Sequence, residues 1–217
     1  MSSKLDLDVA RRVCEVAAGG SLSTDSSVVE VRARGVQTVL AVRLNTAEVE
    51  RRQREGMAPL LDIAVLDGLM QLPAGLPVPA SSLSPLERKL LRQCPAGAVQ
   101  WRDGTLVRQA VRPLRVDAAV VRSLRPTMSC LRRAGRFGAY AATSVWLNGS
   151  AKDVELLVME AAVYGIGVVR GRADEAPDLL VAPRGLPQPR HTAAGWLLAE
   201  QVFSELAGPD RVPESTR

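Results

Sequence analysis

The segment from Leu114 to Asn148 constrains the fold of this chain more than any other part of its sequence. Its first part, Leu114 to Val121, carries one acid, Asp117, and the run DAAVV that begins with it is otherwise apolar. Strands that are covered on both faces of a sheet have this composition. An arginine-rich stretch that can form a helix follows, from Thr127 to Tyr140, and Ser144 to Leu147 is typical of a second buried strand. The order of buried strand, helix and buried strand predicts an α/β fold.

The elements that follow extend the same pattern. Ser150, with Asp153 at the third helical position, is suited to cap a helix that ends at Tyr164. The segment Ile166 to Arg170, which is apolar up to its last residue, then predicts a strand parallel to the preceding one, joined to it by a right-handed crossover. A further strand is predicted at Leu179 to Ala182 and a last helix at Thr192 to Leu206.

The N-terminal third predicts a small α/β unit of its own. An apolar stripe recurs every three or four residues over Leu5 to Ala18 and indicates a helix. Val28 to Ala33 and Val36 to Leu44 are rich in β-branched residues and flank an Arg-Gly pair, which predicts a hairpin. A charged helix is expected at Ala47 to Glu55 and a more apolar one within Pro59 to Leu72.

Two of the predicted helices start with side chains that suit capping. Asn45 precedes the first, with Glu48 three residues later. The sequence SPLE, Ser84 to Glu87, offers a serine cap, a proline in the first turn and a returning glutamate for the second. Gln100 to Gln109, interrupted by Asp-Gly, predicts a hairpin.

A run rich in proline, glycine and serine divides the chain. It indicates a linker between two structured parts. The predicted organisation is a small α/β unit at residues 1–72, a linker at 73–83, a mixed-sheet α/β domain at 84–207 and a disordered tail at 208–217.

Composition excludes several classes of protein. No apolar run reaches the roughly 18 residues that would indicate a membrane span, and the first 30 residues lack a secretory pattern. The three cysteines are far apart and form no C-x-x-C pair, which argues against a disulfide framework or a zinc site. We expect a soluble cytoplasmic protein without a membrane partner.

Positive charge is concentrated in one region. The whole chain carries a formal net charge of +5, yet residues 102–136 hold nine arginines and only two aspartates. A cluster of this kind is typical of proteins that bind polyanions. The alternative is an ordinary solvated face, since the marked excess of arginine over lysine is also typical of a GC-rich genome. The nine arginines are Arg102, Arg108, Arg112, Arg115, Arg122, Arg125, Arg132, Arg133 and Arg136.

The C-terminal half resembles a known fold. The motifs are CLRRAGRFGAYAATSVWLN, residues 130–148, and AAVYGIGVV, residues 161–169. Together with the order of helix, hairpin, acidic strand, basic helix, strand, helix and strand, they resemble the PD-(D/E)XK nuclease-like superfamily. The likeness spans roughly Ser84 to Pro187 and is greatest to bacterial nuclease-like domains of unassigned function.

The resemblance implies a degenerate member whose catalytic centre is lost. In active members two carboxylates hold a cation such as Mg²⁺ and a lysine activates water. Asp117 stands where the first acid would be, but Val120 to Leu124 supply no E-x-K in any register. We therefore expect no cofactor, with Asp117 as a vestigial candidate. An alternative role for Asp117 is to pair with Arg115 or Arg122.

A second acidic candidate lies on the N-terminal hairpin. Asp25 and the E-V-R of Glu30 to Arg32 offer two acids, again with arginine in place of lysine. A solvated strand face explains these residues more simply.

Three functions follow from these features. The first is nucleic-acid binding, mainly to phosphates, by a catalytically inactive nuclease-like protein. This function requires no enzymatic activity. The second is a protein-interaction scaffold that meets an acidic partner or forms a homodimer without nucleic acid. The third is a residual Mg²⁺-dependent nuclease that joins Asp117 to an acid elsewhere, such as Glu87. The residues expected to contact nucleic acid are Arg122, Arg125, Arg132, Arg133 and Arg136.

Overall fold

The computed structural model of the chain describes residues 7–20, 22–149, 154–172, 176–184 and 191–207. The predicted cap at Ser150 with Asp153, and the tail at 208–217, lie outside these residues. The described helices are α1 (Leu7–Ala17), α2 (Thr46–Glu55), α3 (Ile63–Met70), α4 (Pro85–Arg92), α5 (Met128–Gly135), α6 (Glu155–Tyr164) and α7 (Ala193–Leu206), with a 3₁₀ turn at Ala80–Ser82. The strands are β1 (Ser27–Ala33), β2 (Val36–Leu44), β3 (Pro77–Pro79), β4 (Val99–Arg102), β5 (Thr105–Arg108), β6 (Leu114–Ser123), β7 (Ala142–Leu147), β8 (Gly167–Arg170) and β9 (Asp178–Val181).

These elements confirm the α/β class. Six strands form one mixed sheet in the order β1-β2-β6-β7-β8-β9. β1 and β2 are the predicted antiparallel hairpin. β6, β7 and β8 run parallel, as the strand–helix–strand pattern predicts, and β9 is antiparallel to β8. A second, three-stranded antiparallel sheet has the order β3-β5-β4 and contains the predicted hairpin at residues 100–109. No helix in the described ranges has the length and apolar character that a membrane crossing requires.

Strand β6 is an inner strand, as its composition predicts. It lies between β2 and β7, and the run from Ala118 to Val121 is almost completely inaccessible to solvent. Apolar side chains therefore cover both faces of the sheet at this position. Asp117 lies directly before this run.

The chain divides into two compact units, and each is discontinuous in sequence. Unit 1 comprises residues 1–43 and 116–190. Its core is formed by α1 against the six-stranded sheet, which explains the apolar stripe of that helix. The buried residues of this core are Val9, Ala10, Val13, Cys14, Ala17, Val39, Ala41, Ala118, Val120, Trp146 and Val169.

Unit 2 comprises residues 44–115 and 191–217. This grouping differs from the predicted division, in which residues 73–83 were a linker. That run contains β3, whose Val78 pairs with Leu106 of β5, followed by the 3₁₀ turn. The β1–β2 hairpin, assigned by prediction to a separate small unit, belongs to the sheet of β6. Pairing between distant strands overrides the local proline and glycine signal. The core of unit 2 includes Leu60, Leu66, Leu69, Leu91, Leu106 and Trp196.

Local signals at helix ends agree with the structure. The Asn45 side chain accepts a hydrogen bond from the Glu48 backbone N–H, and Ser84 and Glu87 form the reciprocal capping box. Gly165 closes α6 in the left-handed conformation, with a φ of 68°. Helix α5 is shorter than expected and ends at Gly135 rather than Tyr140, which agrees with the low helix propensity of glycine.

Candidate polyanion-binding surface

The carboxylate of Asp117 is held by an arginine from the neighbouring strand. Arg43 of β2 donates two hydrogen bonds to it, from Nε to Oδ2 at 2.7 Å and from Nη2 to Oδ1 at 2.9 Å. The Ser26 hydroxyl lies 3.3 Å from Oδ2 and donates a third. The Asp117 side chain is 13 % exposed. This bidentate arrangement matches the planar guanidinium to the two carboxylate oxygens.

The pairing changes what Asp117 can do chemically. Hydrogen bonds from Arg43, together with attraction between the two charges, raise the pKa of Arg43 above its ordinary value. Asp25 adds a further attraction to the same guanidinium. An aspartate whose oxygens already accept these bonds, beside a permanent positive charge, is a poor ligand for a divalent cation. The sequence alone did not identify Arg43 as the partner of Asp117. A signal was present, since an arginine in a largely apolar strand indicates a charge that needs a partner.

Among the other acidic candidates, Asp25 is coupled to this pair through its attraction to the Arg43 guanidinium. Glu87 belongs to unit 2, and its carboxylate accepts the Ser84 backbone N–H at 2.7 Å. Glu30 lies on β1 opposite Val39. Within the described ranges, no three residues among histidine, cysteine, aspartate and glutamate are placed to share a metal ion.

The five predicted nucleic-acid contacts all lie in unit 1. Arg122 is near the end of β6, Arg125 is in the loop that follows, and the remaining three occupy the last turn of α5 and the position after it. Arg125, Arg132 and Arg136 are exposed, and the other two are partly buried. None of the five forms an ion pair with a carboxylate in the described part of the chain.

A sixth arginine joins this group through the hairpin turn. Arg136 Nη1 donates a 3.0 Å hydrogen bond to the backbone carbonyl of Arg34. The Arg34 guanidinium lies over the ring of Tyr140, 5.0 Å from its centre. Both cations are thus positioned by a neutral carbonyl and an aromatic ring, which leave their charge uncompensated. Arg34 was not among the predicted contacts, because it is 102 residues from Arg136 in the chain.

Unit 2 contains a charged cluster of a different kind. Arg52 pairs with Glu48 and with Glu200, and all three side chains are at most 2 % exposed. Glu200 also accepts hydrogen bonds from the Trp196 indole at 2.8 Å and from the Leu60 backbone N–H at 3.0 Å. Each charge therefore has partners inside the protein, and the cluster has the character of a structural network rather than a binding site.

Comparison of the chain with protein-family models, with curated proteins and with solved structures gave no match. The resemblance to PD-(D/E)XK nuclease-like proteins therefore stays a prediction.

Proposed function

We propose that unit 1 binds nucleic acid through an arginine face on α5, the end of β6, the loop between them and the β1–β2 turn. The observation that carries this proposal is the contrast between two sets of arginines. Arg43, Arg51 and Arg52 are neutralised by carboxylates at 2.7–2.8 Å. The arginine face has no such partner among the described residues, and it consists of Arg34, Arg122, Arg125, Arg132, Arg133 and Arg136.

Phosphates are the natural partners of such a surface. Uncompensated guanidinium groups attract the sugar–phosphate backbone without distinguishing bases, so the binding is weakly sequence-specific and falls steeply with salt. The hydrogen bond from Arg136 to Arg34 and the ring of Tyr140 restrict the motion of two of the cations. Such restriction lowers the entropy lost on binding.

Binding without cleavage is favoured over a residual nuclease. The acid that would begin a metal site, Asp117, is engaged with Arg43 through both of its oxygens. Glu87, the suggested second acid, is engaged in a helix cap in the other unit.

The test is fluorescence anisotropy with a labelled DNA duplex over a series of salt concentrations. Replacing Arg132, Arg133 and Arg136 by glutamine should weaken binding and reduce the slope of log K against log[salt] by up to about 3, since each phosphate contact contributes about 0.9. A control variant with the same loss of charge replaces Arg54, Lys89 and Arg92, which lie in unit 2. Equal losses in both variants, or none in either, would refute the proposal.

A second candidate function is association with another protein through α6. Four apolar side chains at helical spacing are exposed on this helix: Leu156, Met159, Val163 and Tyr164. A helix that is apolar on its exposed side as well as its buried side is typical of one that packs against a partner. Light scattering decides this candidate: a dimer that Met159→Glu dissociates supports it, whereas a monomeric wild-type chain counts against a homodimer.

A further inference from the structure

Unit 1 contains a cavity of about 720 Å³ between helices α5 and α6 and the starts of strands β7 and β8. A volume in the range of about 300–1,000 Å³ is typical of sites for small molecules. The buried part of its lining is apolar and includes Leu131, Ala141 and Ile166. The exposed part, its rim, carries Arg132, Tyr164 and Arg184.

Glycines keep this space open. Gly135 and Gly138 both line the cavity. A Cβ added at Gly135 would meet nothing nearer than Ile166 Cδ1, at 4.0 Å, and one at Gly138 would meet the Gly135 carbonyl oxygen at 3.6 Å. Both positions could therefore carry a side chain without displacing a neighbour. The cavity is open because side chains are missing from its wall, not because the backbone excludes them.

Arg184 is held at the rim by two contacts with the end of α6. Its backbone N–H donates a 2.9 Å hydrogen bond to the Gly165 carbonyl. Its side chain lies across Gly165, where a Cβ would come within 2.9 Å of Arg184 Cβ and 3.6 Å of Cδ and Nε. Neither Arg184 nor Arg132 has an ion-pair partner in the described ranges.

The apolar lining and the two arginines of the cavity favour a ligand that has an apolar part and an anionic part. Apolar walls bind a hydrocarbon chain or ring by removing it from water. Two guanidinium groups without carboxylate partners bind an oxyanion through charge-assisted hydrogen bonds. An uncharged ligand leaves both cations unpaired at the edge of an apolar space, and a cationic ligand is repelled.

We propose that this cavity binds a small amphipathic anion, with the apolar part between α5 and α6 and a carboxylate head at Arg132 and Arg184. This site shares Arg132 with the arginine face, whereas Arg184 belongs to the cavity alone.

Isothermal titration calorimetry of the full chain with decanoate tests the proposal, with decan-1-ol as the uncharged probe of equal length. We expect decanoate to bind at least about tenfold more tightly than decanol, the factor expected from one or two charge-assisted hydrogen bonds. Arg184→Gln should weaken decanoate binding by about tenfold and leave decanol binding unchanged. Equal affinity for the two probes would overturn the proposal, as would unchanged binding in Arg184→Gln.

A second variant tests the location. Gly135→Leu places a side chain in the cavity and should abolish decanoate binding while the chain keeps its far-ultraviolet circular dichroism spectrum. If that variant fails to fold, Arg132→Gln replaces it and should weaken decanoate binding about as much as Arg184→Gln does. Arg125→Gln, outside the cavity lining, is the matched control. Decanoate binding that survives the cavity variant, or that is lost equally in Arg125→Gln, would overturn the proposal.

Arg184→Gln should leave DNA binding intact. Failure of the decanoate proposal can therefore be distinguished from failure of the nucleic-acid proposal.

Discussion

Arg52 and Glu200 are 148 residues apart in the chain and form a bidentate pair in the core of unit 2. Nη1 lies 2.7 Å from Oε2 and Nη2 lies 2.7 Å from Oε1. The same guanidinium reaches Glu48 through Nε, also at 2.7 Å, and the Val111 carbonyl at 3.0 Å. The pair links α2 to α7, so two segments far apart in sequence depend on one another.

Arg52→Leu should destabilise the protein severely. The substitution leaves Glu48 and Glu200 buried without their shared cation, and removing one partner of a buried pair costs about 3–5 kcal/mol. Arg54→Leu, on the exposed side of the same helix, should change the free energy of unfolding by no more than about 0.5 kcal/mol. Urea denaturation of both variants measures the difference, and similar midpoints would contradict a buried network.

The ionisation of Glu48 should make the free energy of unfolding depend on pH in the acidic range. Burial opposes its ionisation, but hydrogen bonds from Arg51 and Arg52 outweigh that effect and lower its pKa below the ordinary 4.5. Because the folded-state pKa lies below that of the unfolded chain, the stabilisation is complete above the unfolded value. It is lost as the pH falls through the folded-state value.

Glu48→Gln tests this dependence. The variant should be clearly less stable than the wild type at pH 7, and the gap should narrow as the pH falls below 4.5, because the unfolded chain then binds a proton that folding must displace. Glu50→Gln, an exposed change on the same helix, should leave stability nearly unchanged at both pH values. A gap between Glu48→Gln and wild type that stays constant from pH 7 to pH 3 would disprove the assignment.

Two glycines in unit 1 should respond in opposite ways to alanine. Gly165 has a φ of 68°, and a Cβ there would stand 2.9 Å from Arg184 Cβ, so Gly165→Ala should cost about 1–2 kcal/mol. Gly135 ends α5 without a positive φ and has room for a methyl group, so Gly135→Ala should be neutral or stabilise by up to about 1 kcal/mol. Thermal unfolding of the two variants measures both effects. A lower melting temperature for Gly135→Ala would contradict the open space at that position.

Local features of the fold were predictable, because they depend on residues near one another in sequence. The apolar run at Ala118 to Val121 predicted an inner strand, and the Asn45 and Ser84 caps predicted where helices begin. The Arg-Gly pair predicted the β1–β2 turn. In each case the side chains of a few consecutive residues, through their polarity or their hydrogen bonds, determine the local structure.

The candidate site was only partly predictable, because its decisive contacts join distant strands and turns. The bonds from Arg43 to Asp117 and from Arg136 to Arg34 span 74 and 102 residues. Neither follows from periodicity or charge spacing, since both require knowing that the β1–β2 hairpin joins the sheet of β6. The same long-range pairing explains why the two units interrupt one another in sequence.

The thiol of Cys14 should resist alkylation for as long as unit 1 is folded. Cys14 is fully buried in the core of that unit, and burial, with a smaller contribution from Glu15, raises its pKa to about 12. A shift of this size from 9.0 lowers the reactive thiolate fraction about a thousandfold near neutral pH, and the core also excludes the reagent. Iodoacetamide labelling at pH 8, followed by peptide mass spectrometry, should therefore show almost no adduct at Cys14 in the native protein and rapid labelling in denaturing urea.

Cys94 in unit 2 is the comparison thiol. It is only partly buried, and burial raises its pKa to about 11, so it should react faster than Cys14 under native conditions. Val13→Ala removes core packing beside Cys14 and should accelerate labelling of that thiol but not of Cys94. Native labelling of Cys14 as fast as in urea would show that α1 does not pack on the sheet as described.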